Sequence, residues 1–181
     1  KAAGALVDCG DCVLVVIDLQ GKLLNIIHEK DLVLDNVMKL VSFARITGMP
    51  VVVTEQEKLG PSVPELAAGV DGFSPILKLE FDAAKRPDFL RALAATGRKT
   101  AVVCGIESHI CVTQTVLHLL SEYTVHLISD ACGSRAPWNK KVALDRMRDA
   151  GAVISSTEMF MYEALVVAGT DEFRETLRLA K

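Results

Sequence analysis

Four short β-branched apolar runs punctuate the chain: Val13 to Ile17, Val51 to Thr54, Thr100 to Cys104 and Thr124 to Ile128. Each is flanked by a stretch whose apolar residues recur at helical spacing, and the helix candidates are 31–47, 87–96, 110–122, 139–150 and 171–180. Runs that are apolar at every position, rather than at alternate ones, predict strands buried on both faces, as in a parallel sheet with crossover helices. Gly48, Gly97 and Gly151 stand where C-terminal caps belong. A fifth strand is predicted over Ala152 to Ile154. Ser155-Ser156-Thr157-Glu158 then offers a capping box, Ser155 with Glu158, for a short helix.

This alternation continues to the end of the chain with no linker, repeat or low-complexity tract. It predicts one domain over residues 1–181, a three-layer α/β/α arrangement around a mostly parallel central sheet of about six strands. The irregular part is 55–86, which holds Pro61, Pro64 and Pro75 and is followed by Pro87. Excursions this long are more often functional than idle.

Half of the 181 residues are apolar, enough for a large core, and the longest apolar runs are far too short to span a bilayer. No basic, then apolar, then small-residue leader opens the sequence, so the expectation is a soluble, cytoplasmic protein with no membrane partner. The formal net charge is -3 and Lys and Arg are scattered, which gives no footprint for nucleic acid and favours a small-molecule substrate. Among the five cysteines, Cys9 and Cys12 have CxxC spacing but precede the first strand instead of opening a helix after one. Packing as small hydrophobes suits them better than redox or metal chemistry.

Ligands of open parallel sheets bind beyond the carboxyl ends of the strands. The residues there are Asp18 and Gln20 after the first run, Thr54-Glu55-Gln56 at the second, Cys104-Gly105 at the third and Ser129-Asp130 at the fourth. Cys111 falls at the start of the helix predicted after the third run. There, unpaired backbone N–H groups and the positive end of the helix dipole favour a thiolate. Two readings of Cys111 fit its position, a nucleophile or a packed small hydrophobe. Asp18, ending a neighbouring strand and able to take a proton, favours the first.

Five segments, VVTEQ at 52–56, GPSVPEL at 60–66, KLEFD at 78–82, VVCGIESHICVTQTVLHLL at 102–120 and ISDACGSR at 128–135, are similar in order and spacing to the isochorismatase-like cysteine hydrolases. The resemblance extends from VLVVIDLQ at 13–20 to GAVISSTEM at 151–159 and is strongest to the branch of isochorismatase domain-containing proteins. It implies an isochorismatase-like fold and an Asp-Lys-Cys triad, carried here by Asp18, Lys78 and Cys111. It also implies a cis peptide between Ile106 and Glu107 and an oxyanion hole built from the N–H groups of Glu107 and Cys111. The activity implied is hydrolysis of a C–N bond, most simply an amide, through a thioester, by a homo-oligomer. Two alternatives are isochorismatase-type vinyl ether hydrolysis, which the presence of Cys111 disfavours, and an interaction protein with a dormant site.

Related nicotinamidases bind a metal through Asp-x-His-x-His after the second strand. This chain reads Glu55-Gln56-Glu57-Lys58 there, so no catalytic metal and no cofactor are expected. Gln20 and Gln56 are candidates to orient the triad or to contact substrate, with solvated loop amides as the alternative. His109, two residues before Cys111, is expected to point away from it. Trp138 fits a pocket wall or ordinary packing equally well.

Overall fold

The computed structural model describes residues 6–179. Six strands, β1 (Cys12–Ile17), β2 (Val51–Gln56), β3 (Ile76–Lys78), β4 (Thr100–Ile106), β5 (Thr124–Gly133) and β6 (Val153–Ser155), form one sheet in the order β3-β2-β1-β4-β5-β6. Every neighbouring pair is parallel. The helices are α1 (Gly21–Leu24), α2 (Lys30–Thr47), α3 (Pro64–Gly69), α4 (Pro87–Ala95), α5 (Thr113–Leu119), α6 (Pro137–Asp149), α7 (Thr157–Leu165) and α8 (Asp171–Leu179). One face of the sheet carries α2 with α3, α7 and α8 against it, and the other carries α4, α5 and α6.

The central strands β1 and β4 are buried at every position, which is why they read as unbroken apolar runs: both faces are covered by helices. Phe43 of α2 meets Phe160 of α7 edge to face at 6.0 Å, which ties two helices of one layer together above the strands. Gly48, at the end of α2, has φ 67°, a conformation that costs a residue with a Cβ but not glycine. Gly97 and Gly151 also have positive φ, one residue beyond the caps of α4 and α6.

Several boundaries differ from the sequence reading. The helix expected over 110–122 is two pieces, a π-helical turn at Ser108–Val112 and then α5. Strand β3 lies inside the proline-rich excursion and pairs Gln56 with Lys78. It is a three-residue edge strand, too short to show a pattern of its own. Strand β5 runs on to Gly133 through an irregularity between its pairings with Val103 and Gly105, which carries the chain past Ser129-Asp130. The predicted capping box shifts by one residue. Ser155 closes β6, paired with Ile128, so the cap of α7 is Ser156, whose hydroxyl accepts from the Met159 N–H at 3.3 Å. The last residue of the helix expected over 171–180 lies outside the described residues.

Neither Cys9 nor Cys12 is joined in a disulfide. Cys12 is fully buried at the start of β1, and burial pushes the Cys9 thiol up. Neither reaches the carboxyl end of the sheet, where the chemistry collects.

Candidate active site

The order of the strands changes direction at β1, with β2 on one side and β4 on the other. A crevice therefore opens where the connections leaving β1 and β4 part, and this is where an open α/β sheet places a ligand. Asp18 follows β1 and Cys111 follows β4 by five residues. For the two to approach, β4 must pass very close to the end of β1. Gly105 makes this possible: its φ is 121°, and a Cβ there would lie 2.1 Å from the carbonyl oxygen of Ile17.

Asp18, with φ 50°, turns its carboxylate into the protein, where it is fully buried. Buried charge is tolerated only with partners, and Asp18 has two. Thr54 Oγ1 donates to Oδ1 at 2.7 Å, and Lys78 Nζ pairs with Oδ2 at 2.6 Å, both ion-pair side chains having no exposure. Lys78 comes from the end of β3, at the sheet edge, and its ammonium reaches Asp18 beyond the end of β1. Its ammonium also donates to Gln56 Oε1 at 2.9 Å and to the carbonyl of Glu80 at 3.2 Å. Three donors meet three acceptors, which fixes Nζ in place.

The Cys111 thiol lies close enough to Asp18 and Lys78 for both charges to act on its titration. Burial pushes this thiol up to about 12; the charge of Asp18 adds to the rise, and Lys78 offsets part of it. This corrects the expectation of a thiolate favoured by a helix start. Cys111 sits inside the π-helical turn and is 6% exposed, so loss of solvation outweighs both the turn and the neighbouring ammonium. At neutral pH the group at rest is a thiol beside an ion pair.

The peptide between Ile106 and Glu107 is cis. Glu107 caps the turn that carries Cys111, and its carbonyl accepts from Ile110 and Val112. Below the site, the segment after Lys78 is tied to α5: the Ala83 N–H donates to Thr115 Oγ1 at 3.0 Å, and His118 Nδ1 meets Asp82 Oδ2 at 2.9 Å. Lys78 and Cys111 are thereby held by one clasped unit.

The two glutamines have distinct places. Gln20 is fully buried, with Nε2 donating to the carbonyls of Gln56 and Gly60 and Oε1 accepting from the Gln56 N–H at 2.9 Å. Both amide hydrogens are spent on the chain itself, and Gln20 closes the loop after β2. Gln56 accepts from Lys78 at Oε1 and donates from Nε2 to the Leu79 carbonyl. Glu55, at the position corresponding to a metal motif in nicotinamidases, accepts from the Ser62 N–H at 2.7 Å. Among the described residues no group of three or more His, Cys, Asp or Glu is arranged to hold a metal ion. His109 turns to Ser134, with Nδ1 3.0 Å from its hydroxyl. Trp138 is 69% exposed at the start of α6, its ring beside Lys141.

Sequence reasoning placed Thr54 at a strand end without a role for its hydroxyl, and it missed the Glu80 carbonyl and the pairing of Arg135 with Glu107. Thr54 left a faint trace as the one polar residue closing an apolar strand. Arg135 pairs with the 3% exposed carboxylate of Glu107, a contact between segments 28 residues apart that no local pattern reveals. Among the described residues no helix is long and apolar enough to cross a membrane.

The isochorismatase domain model matches residues 12–159. The chain is 36% identical over 178 residues to the secreted isochorismatase effector Isc1 of Phytophthora sojae, covering 93% of this chain and 84% of that protein. To human isochorismatase domain-containing protein 2 it is 34% identical over 176 residues, covering 95% and 84%. Among solved structures, the MAR1 ribonuclease of Caenorhabditis elegans superposes with TM-score 0.90 at 30% identity, covering 97% of this chain and 92% of that one. The YcaC gene product of Escherichia coli, an octameric hydrolase of unknown specificity, superposes with TM-score 0.92 at 26% identity, covering 99% and 91%. With its parallel sheet, its site at the switch in strand order and these matches along nearly its whole length, the chain belongs to the isochorismatase domain family of hydrolases.

Proposed function

We propose that the chain is a single-domain cysteine hydrolase that cleaves a C–N bond, most simply an amide, in a small molecule. The observation that carries this reading is the placing of the Cys111 thiol within electrostatic reach of the buried Asp18–Lys78 ion pair. A thiol held near 12 is almost wholly protonated at pH 7, so it needs a base positioned to take its proton as it attacks. Asp18 is that base. Sγ bonds to the substrate carbonyl carbon, the thiol proton passes to Asp18, and the oxyanion is met by the N–H groups of Glu107 and Cys111. On collapse the C–N bond breaks and the amine leaves with the proton from Asp18. Water then gives a proton to Asp18 and attacks the thioester, and the departing thiolate recovers that proton. Lys78 holds Asp18 and steadies the sulfur's negative charge.

The test is a screen of small aliphatic and aromatic amides with ammonia release as readout. Turnover by the wild-type chain supports the reading. Release from none of them, with vinyl ethers cleaved instead, sinks it.

Self-association in the cytoplasm belongs to the same proposal. Leu77, Leu79 and Phe81 are each more than half exposed beside Lys78, a run of apolar surface that a second copy would cover. Sedimentation at micromolar concentration is expected to give a species larger than the monomer, and a clean monomer would refute this part.

A further inference from the structure

Arg135 is spent on a residue that the triad does not contain. Its own N–H donates to Glu107 Oε2 at 3.0 Å, its Nε to the same oxygen at 3.2 Å, and its Nη2 lies 3.1 Å from Oε1. The guanidinium thus forks both carboxylate oxygens, the strongest geometry available to such a pair. On either side the same two segments are joined again: Ser108 Oγ donates to the Gly133 carbonyl at 3.0 Å, and His109 meets Ser134. Residues 107–109 are therefore stitched to residues 133–135 along their length. The Arg135 side chain is 55% exposed and that of Glu107 only 3%, so the arginine holds the buried carboxylate from the solvent side.

We propose that Arg135 is the positioning residue of the oxyanion hole: by clamping the Glu107 carboxylate it fixes the peptide whose N–H faces the substrate oxygen. The proposal rests on the cysteine hydrolase reading. Its consequence is selective. Steps in which charge builds on an oxygen bound to the attacked carbon need the clamp, whereas substitution at a saturated carbon by the same sulfur does not.

Two probes separate these cases without an amide substrate. Iodoacetamide alkylates Cys111 as the S–C bond forms, iodide leaves and the thiol proton passes to Asp18. A small aldehyde such as propionaldehyde adds reversibly: the S–C bond forms, the carbonyl π bond breaks, the thiol proton passes to Asp18 and the oxygen lies in the hole as an oxyanion. Aldehyde affinity is read as protection of Cys111 from alkylation.

In Arg135→Ala the aldehyde affinity is expected to fall by about 30-fold or more, with the alkylation rate kept within about twofold. Guanidinium ion added to Arg135→Ala should restore part of the affinity, the site being open to solvent. Arg135→Lys, which keeps the charge and loses the fork, should fall between; it also serves if the alanine variant folds poorly. Equal aldehyde affinity in wild type and variants overturns the proposal. So does a parallel loss of alkylation and affinity, which marks a merely structural role, or a wild-type thiol that alkylates but never binds the aldehyde. Failure of the amide screen alone bears on the substrate, because the aldehyde measurement stands without turnover.

Discussion

Replacing Cys111 by alanine is expected to lower kcat on an amide substrate by at least about 10⁴-fold, since loss of a nucleophile removes the covalent route altogether. The fold should survive. The side chain is small, and Cys111→Ser keeps nearly the same volume and leaves a hydroxyl to donate to Asp18, so its unfolding free energy should stay within about 1.5 kcal/mol of wild type. Serine should be almost as inactive as alanine. Its hydroxyl is a weaker nucleophile, in a site where the base is one carboxylate already committed to Lys78 and Thr54. The measurement is ammonia release against urea unfolding for the three proteins. Activity kept by either variant removes Cys111 from the chemistry.

Lys78→Met should have the second largest effect, on stability as well as on rate. It leaves a fully buried carboxylate with a hydroxyl as its remaining side-chain partner, and breaking a buried pair from one side costs about 3–5 kcal/mol. Adding Asp18→Asn removes the stranded charge, so the double variant should recover part of the loss. A coupling of at least about 1 kcal/mol in a double-mutant cycle is expected.

The pH dependence of Cys111 alkylation should move in opposite directions in the two single variants. Lys78 lowers the thiol from a value that burial and Asp18 raise to about 12. Lys78→Met should therefore shift the profile to higher pH and Asp18→Asn to lower pH. Profiles that coincide with wild type in both would take the pair out of contact with the sulfur.

The layered α/β architecture was legible because the central strands are covered on both faces, and such strands must be apolar at every position. Val13 to Ile17 and Thr100 to Cys104 could hardly be anything else. Glycines just beyond three helices were legible for a similarly local reason. The short edge strand β3 was not, because three residues carry no periodicity and its place depends on pairing with β2. The cap of α7 fell on Ser156 because Ser155 was already committed to β6, and the capping box alone could not weigh that.

For the site, the motifs nominated Asp18, Lys78 and Cys111 as residue types in a familiar order, but their relation is a property of the packed chain. Sequence separations of 60 residues between Asp18 and Lys78 and 36 between Asp18 and Thr54 are closed only when β3, β2 and β1 align. The protonation state of the thiol was misread from the sequence for the same reason. A helix start and a lysine can be seen in a string of letters and both favour a thiolate, whereas the desolvation that holds Cys111 near 12 exists only once the core has closed around it. Local chemistry thus determined which elements form and which side chains are present. Tertiary packing decided which charges meet, which amides remain free, and where the proton rests, because each of those depends on burial and on partners far away in the chain.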